Sequence, residues 1–159
     1  MEQKHLSNWL KLILIGMAIC GLIISTFVLP MYGLSLRSLY PEFSNRFWPW
    51  LIFLLLSGIP CFVVLVFIWK IADNIGNDRS FSNQNASLLK GISILAAADS
   101  TFFFVGNVVL LLLSMSHPGV VLASFAVAFI GVAIAVAAAA LSHLVKKAAA
   151  LQEQSDLTI

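Results

Sequence analysis

Long apolar runs separated by short polar stretches dominate this chain. Four runs, at about 10–29, 48–71, 92–114 and 119–145, are each long enough to cross a bilayer as a helix, which takes roughly 20 apolar residues at about 1.5 Å each. A backbone exposed to lipid must satisfy its own N–H and C=O groups, and four segments are too few for a closed barrel. Each run is therefore predicted to be a helix. The expected fold class is all-α, a polytopic membrane protein of four transmembrane helices forming one domain over 1–159, with a loop at 72–91 and a helical tail at 146–159.

The breakers refine this picture. Pro30 is expected to close the first run, and the segment 31–47, which mixes Leu34, Leu36, Leu39, Tyr40 and Phe43 with Arg37 and Glu42, is expected to lie partly on the membrane surface. The first run ends in Val28-Leu29-Pro30 rather than in a small-x-small cleavage site, so it is taken as a true span. Pro60, following Ser57-Gly58, should kink the second span by removing a backbone donor. Asn74-Ile75-Gly76-Asn77-Asp78 is turn chemistry, and Ser82 is an expected N-cap for a helix starting near Asn83. Met115-Ser116-His117-Pro118 is a tight turn that pairs the third and fourth spans as an antiparallel hairpin. Lys146 to Glu153 is rich in helix formers, so the last helix should outlast the membrane to about Gln154.

Composition excludes a water-soluble core. The chain is 60% hydrophobic and 10% charged, against about 45–50% and about 25% in soluble domains. A net charge of +2 is not the footprint of a nucleic-acid binder, so no direct nucleic acid binding is expected. The basic residues set an orientation. Lys4, Lys11, Lys70, Arg79, Lys90, Lys146 and Lys147 fall on one side of the four spans, and Arg37 and Arg46 on the other. The positive-inside bias puts both termini and the 72–91 loop in the cytoplasm. Trp9 and Trp69 suit the inner interface; Tyr32, Tyr40, Trp48 and Trp50 suit the outer one.

Candidate chemistry is sparse. Asp99 is the one acidic residue inside a span. Placing its charge deep in lipid costs about 2.5–3.5 kcal/mol or more, so it should face protein or water, or carry its proton. Ile92, Asp99, Gly106 and Leu113 recur every seven residues, as do Ser93, Ser100, Asn107 and Ser114 beside them. These form a polar stripe expected to face other helices, with Asp99, Ser100, Asn107 and Ser93 as its candidate residues. Val105, Val108, Val109 and Leu112 lie away from it and should face lipid. Asp99 reads either as a proton- or cation-responsive group or as a helix–helix hydrogen-bonding residue. Gly131, Ala135 and Ala139 recur at four-residue spacing beside the run Ala137–Ala140 and suit close backbone approach, more often to another helix of the same chain than to a second copy. Cys20 and Cys61 lie in apolar runs, and His5, His117 and His143 are far apart, so no metal site and no cofactor is expected. No catalytic triad, phosphate loop or carboxylate pair is present, and the chain is expected not to be an enzyme.

Asp73-Asn74-Ile75, then Phe81-Ser82-x-x-Asn85-Ala86-x-x-Leu89, and the ending Asp156-Leu157-Thr158-Ile159 after a Lys/Ala/Leu helix carry a resemblance. With these residues the whole chain resembles the YoaS-like family (DUF2975), small four-helix bacterial membrane proteins of unknown function. The resemblance implies a bacterial cytoplasmic membrane and a regulatory pairing with a small helix-turn-helix transcription regulator, such proteins being often encoded beside one. It implies no catalytic residues. Phe81, Ser82, Asn85, Leu89, Asp156 and Leu157 become candidate interaction residues on the cytoplasmic side, with the alternative that the loop residues only cap and dock the third helix. The leading expectation is a non-enzymatic membrane sensor or regulatory partner. The alternatives are a small oligomeric transporter or channel using Asp99, and an immunity or envelope-stress protein. The lipid bilayer, a helix-turn-helix regulator and a second copy of the chain are the candidate partners.

Overall fold

The computed structural model describes residues 3–39 and 41–156, with the backbone alone at 36, 42–44 and 156. The described chain is all-helical: α1 (Gln3–Ile23), a π-helical turn (Ile24–Val28), α2 (Leu29–Leu39), a 3-10 segment (Pro41–Arg46), α3 (Phe47–Gly76), α4 (Asn83–Leu112) and α5 (Pro118–Asp156). Four helical stretches are long and apolar enough to cross a membrane, the first running from Gln3 to Leu39.

Pro30 does not close the first helix. The chain passes through the π-helical turn into α2 with right-handed helical backbone at both ends, and the Leu29 N–H bonds the Ile24 carbonyl. A proline ring crowds the carbonyl four residues back, here that of Thr26. The wider π turn displaces that carbonyl and lets the helix continue. The segment expected on the membrane surface therefore begins as more helix, and the break comes at Pro41–Arg46.

The next two helices end with the same device. Asp78 takes a left-handed backbone, φ 57°. Its N–H bonds Ile75 O at 3.2 Å, and the Arg79 N–H bonds Asn74 O at 2.8 Å. Ser114, φ 55°, repeats the pattern, Ser114 N to Leu111 O at 2.9 Å and Met115 N to Leu110 O at 2.8 Å. These are paired Schellman bonds closing α3 and α4. Turn chemistry was read at 74–78, yet Asn74, Ile75 and Gly76 are still helical. The Asn74 amide is taken by Asn85 at 2.7 Å, so it does not compete for its own backbone. Ser82 caps α4, accepting the Asn85 N–H, and Pro118 opens α5 where a missing N–H costs nothing.

The helices pack in the order α1–α3–α4–α5, and the α4–α5 hairpin makes the most extensive contact. Its seam is built of small and polar residues. On α5, Ser124, Ala135, Ala138 and Ala149 are buried, as are Ala86, Ser100, Asn107 and Leu110 of α4; across the seam Gly131 meets Ser100 and Ser142 bonds Ala86 O. The more covered positions of α5, Ser124, Ala128, Gly131, Ala135, Ala138 and Ser142, alternate four and three residues apart, the seam of a left-handed helix pair. The four-residue stripe read from the sequence is thereby corrected: Gly131 and Ala135 face inward, but Ala138 takes the buried place and Ala139 is exposed. Outward positions carry large apolar side chains such as Leu122, Phe129 and Leu112, as lipid contact requires.

Candidate functional site

The polar stripe of α4 serves two neighbours. Asp99, near the middle of α4, faces α3, where Ser57 Oγ donates to its Oδ1 at 3.1 Å. Ser100, one position on, faces α5. It packs so closely on Gly131 that a Cβ there would overlap its Oγ, and that Oγ donates to Ala96 O at 2.7 Å. Asn107 is buried at 3% exposure and donates to Phe103 O at 2.8 Å. Ser93 is half-buried. Positions 92, 99 and 106 and positions 93, 100 and 107 are buried or half-buried along α4, while Leu113 and Ser114 are exposed past its end; adjacent positions on a helix point about 100° apart, enough to divide one stripe between two partners. Gly106, below Asp99, receives the Phe53 ring of α3, which also stacks on Phe103 at 5.8 Å.

Beside Asp99 lies a cavity of about 550 Å³ walled by α1, the π turn, α3, α4 and α5. Its polar lining is Asp99, Ser57, Ser100, Ser25 and Cys61; Met17, Leu54, Leu95 and Ile134 supply much of the apolar wall. The π turn lines it at Ile24 and Ser25, and α3 at Gly58 and Pro60, although α3 runs as unbroken helix through Pro60. Ser57 was not singled out from the sequence as a partner for Asp99. The Ser57-Gly58-x-Pro60 string is the available signal, since a proline lacks the donor for the carbonyl four residues back and leaves the polar groups near it open to other partners.

A second cluster sits at the end of α3 and the start of α4. Asn85 is 2% exposed. Its Oδ1 accepts from Asn74 Nδ2 at 2.7 Å, and its Nδ2 donates to Arg79 O at 3.2 Å and Ser80 O at 3.0 Å. Its backbone N–H reaches Ser82 Oγ at 3.2 Å. One side chain therefore ties the end of α3, the connecting turn and the start of α4. The same end holds α1 and α5. Ser7 Oγ donates to Ala72 O at 2.7 Å, where a Cβ on Gly76 would come within 2.9 Å of that hydroxyl. Lys11 pairs with Asp73 and sits 5.6 Å from the Trp69 ring centroid, and Ser142 Oγ of α5 donates to Ala86 O at 2.6 Å.

The loop residues singled out by resemblance thus separate. Ser82 and Asn85 are committed inside the clamp, and Leu89 is half-buried. Phe81 projects, 58% exposed. The Asp156 side chain and all of Leu157 lie outside the described residues. Among the described residues no group of three His, Cys, Asp or Glu side chains could hold a metal ion.

A family model described as "Protein of unknown function (DUF2975)" matches residues 32–159. The chain is also similar to the "Uncharacterized membrane protein YoaS" of Bacillus subtilis (strain 168), 29% identical over 152 residues that cover 94% of each chain. No solved structure matches it.

Proposed function

This chain belongs to the DUF2975 family, and from that premise we propose that it is a non-enzymatic sensor of the bacterial cytoplasmic membrane, relaying the state of its intramembrane cavity to a cytoplasmic helix-turn-helix regulator. Both termini and the 72–91 loop are cytoplasmic in this reading, on the strength of the seven basic residues that gather there against Arg37 and Arg46 outside.

One observation carries the proposal: the helices that wall the cavity are the ones the clamp ties together. Asp99 and Ser57 meet across α4 and α3 at the cavity, and Asn85 and Asn74 join the same two helices at their inner ends. A change in α3–α4 separation at the cavity therefore acts on the loop that carries Phe81. Coupling of this kind runs through packed side chains and hydrogen bonds, and α4, held to α3 by Asn85 and to α5 by Ser142 on Ala86, is the element common to the cavity and the loop. The transporter alternative draws on the same cavity, where Asp99 is the only carboxylate on the wall among the described residues.

The test is co-purification: the tagged full-length chain is captured from its native membranes and the eluate searched for a helix-turn-helix regulator. The regulator is expected to co-elute in mild detergent, and Phe81→Ala is expected to weaken capture several-fold. Absence of the regulator from the eluate, with its target genes unchanged on deletion of the chain, would remove the reading.

A further inference from the structure

The cavity wall and its charge specify a class of ligand. Asp99 is the one ionisable carboxylate on that wall, and no Lys, Arg or His side chain of the described residues stands on it. The lone hydrogen bond from Ser57 reaches one carboxylate oxygen. An anion held against an apolar wall at mid-span requires a counter-charge, water or full hydrogen bonding, and the sequence offers no basic group in the middle of its spans. The carboxyl is neutral when it carries its proton; when it is ionised, the positive charge that complements it comes from outside the chain.

What accompanies that charge follows from the remaining wall. A small hard cation needs six or more oxygen ligands or retained water. The wall offers only the two carboxylate oxygens of Asp99 and the hydroxyls of Ser25, Ser57 and Ser100 as side-chain oxygens, and most of the lining is aliphatic. The volume, about 550 Å³, falls within the range of about 300–1,000 Å³ typical of small-molecule sites. Gly58 lines the cavity with no atom within 4 Å of where its Cβ would stand, so part of this space is open. The π turn brings backbone irregularity to the same wall, and π turns recur at functional sites.

We infer that the cavity between α1, α3, α4 and α5 binds a lipophilic organic cation, its charge against Asp99 and its apolar body against the aliphatic wall. This deepens the sensing reading by naming the stimulus, and it rests on the cavity alone rather than on the identity of the cytoplasmic partner.

Tetraphenylphosphonium is the probe, and tetraphenylborate, of the same shape and opposite charge, is its control. Binding is measured by equilibrium dialysis to the full-length chain in lipid nanodiscs, with empty discs subtracted. The expected result is saturable phosphonium binding, weakened at least tenfold in Asp99→Asn, and no saturable borate binding. Gly58→Leu keeps Asp99 and fills the open space, and it should also weaken phosphonium binding at least tenfold. Circular dichroism and a thermal transition check that both variants are folded; if Asp99→Asn is not, Gly58→Leu decides. No saturable phosphonium binding by the wild-type chain, equal binding of the two ions, or wild-type binding by a folded variant overturns the inference. Failure of regulator capture leaves this result untouched, and failure here leaves the regulator result untouched, so the two readings fail separately.

Discussion

Replacing Asn85 with alanine is expected to cost about 2–4 kcal/mol and to open the inner loop. The side chain is 2% exposed and serves Asn74, Arg79 and Ser80 simultaneously. Alanine leaves one amide donor and two backbone carbonyls without a partner, and each buried unsatisfied group costs about 1–3 kcal/mol. Water at this end of the bundle can recover part of the sum, which keeps the expectation below the full total. Asn85→Asp should do at least as much harm, because it retains the acceptor for Asn74 but loses both donations and brings a charge into a closed site. Equilibrium unfolding in mixed micelles gives the free energy. Tryptic cleavage after Arg79 reports the loop, and should speed up in both variants. A loss under about 0.5 kcal/mol with unchanged cleavage would mean that Asn85 does not hold the turn.

A comparable loss, about 3 kcal/mol or more, is expected for Gly131→Leu. The α4–α5 seam lets Ser100 lie directly on Gly131, where even a Cβ overlaps its Oγ and comes within 3.2 Å of its own Cβ. Ser100 has little room to yield, since its hydroxyl is tied to Ala96 O at 2.7 Å. Overpacking of a well-filled seam costs about 1–3 kcal/mol and more when backbones must separate, and helix association in lipid depends on such close packing. Gly131→Ala should cost less, about 1–2 kcal/mol, and Ser100→Gly should recover part of it by vacating the space. Gly16→Leu is the control, because nothing lies within 4 Å of a Cβ there, and it should be close to neutral. Similar losses at Gly16 and Gly131 would show that the effect comes from glycine replacement in general rather than from this seam.

The four spans were readable because a bilayer demands length and apolarity and little else. The Ser82 cap and the tight turn before Pro118 were readable because their signals are local. Passage through Pro30 was not, since whether a helix bends, ends or widens at a proline depends on the π turn upstream, which has no residue code. The small-residue face of α5 was seen, but its register was not. Gly131 and Ala135 suit both a four-residue and a seven-residue repeat, and only the position of Ala138 against α4 distinguishes them. The Asp99 stripe was seen as one face because the recurrence of seven is blind to which neighbour each position meets. Asn85 carried a family-like signal, yet its inward role required knowing that Asn74 lies opposite it. The cavity was invisible, being a property of four helices at once.

The account depends most directly on which side of the membrane the clamp occupies. In a chain with Cys20 and Cys61 changed to alanine, single cysteines replace Asn77, exposed in the turn after α3, or His117, exposed in the turn before α5. Intact cells are then treated with a membrane-impermeant maleimide. The account predicts labelling at 117 in intact cells and labelling at 77 only after lysis. Labelling at 77 from outside, or protection of 117 until lysis, would contradict it, because the loop bearing Phe81 would then face away from any cytoplasmic partner.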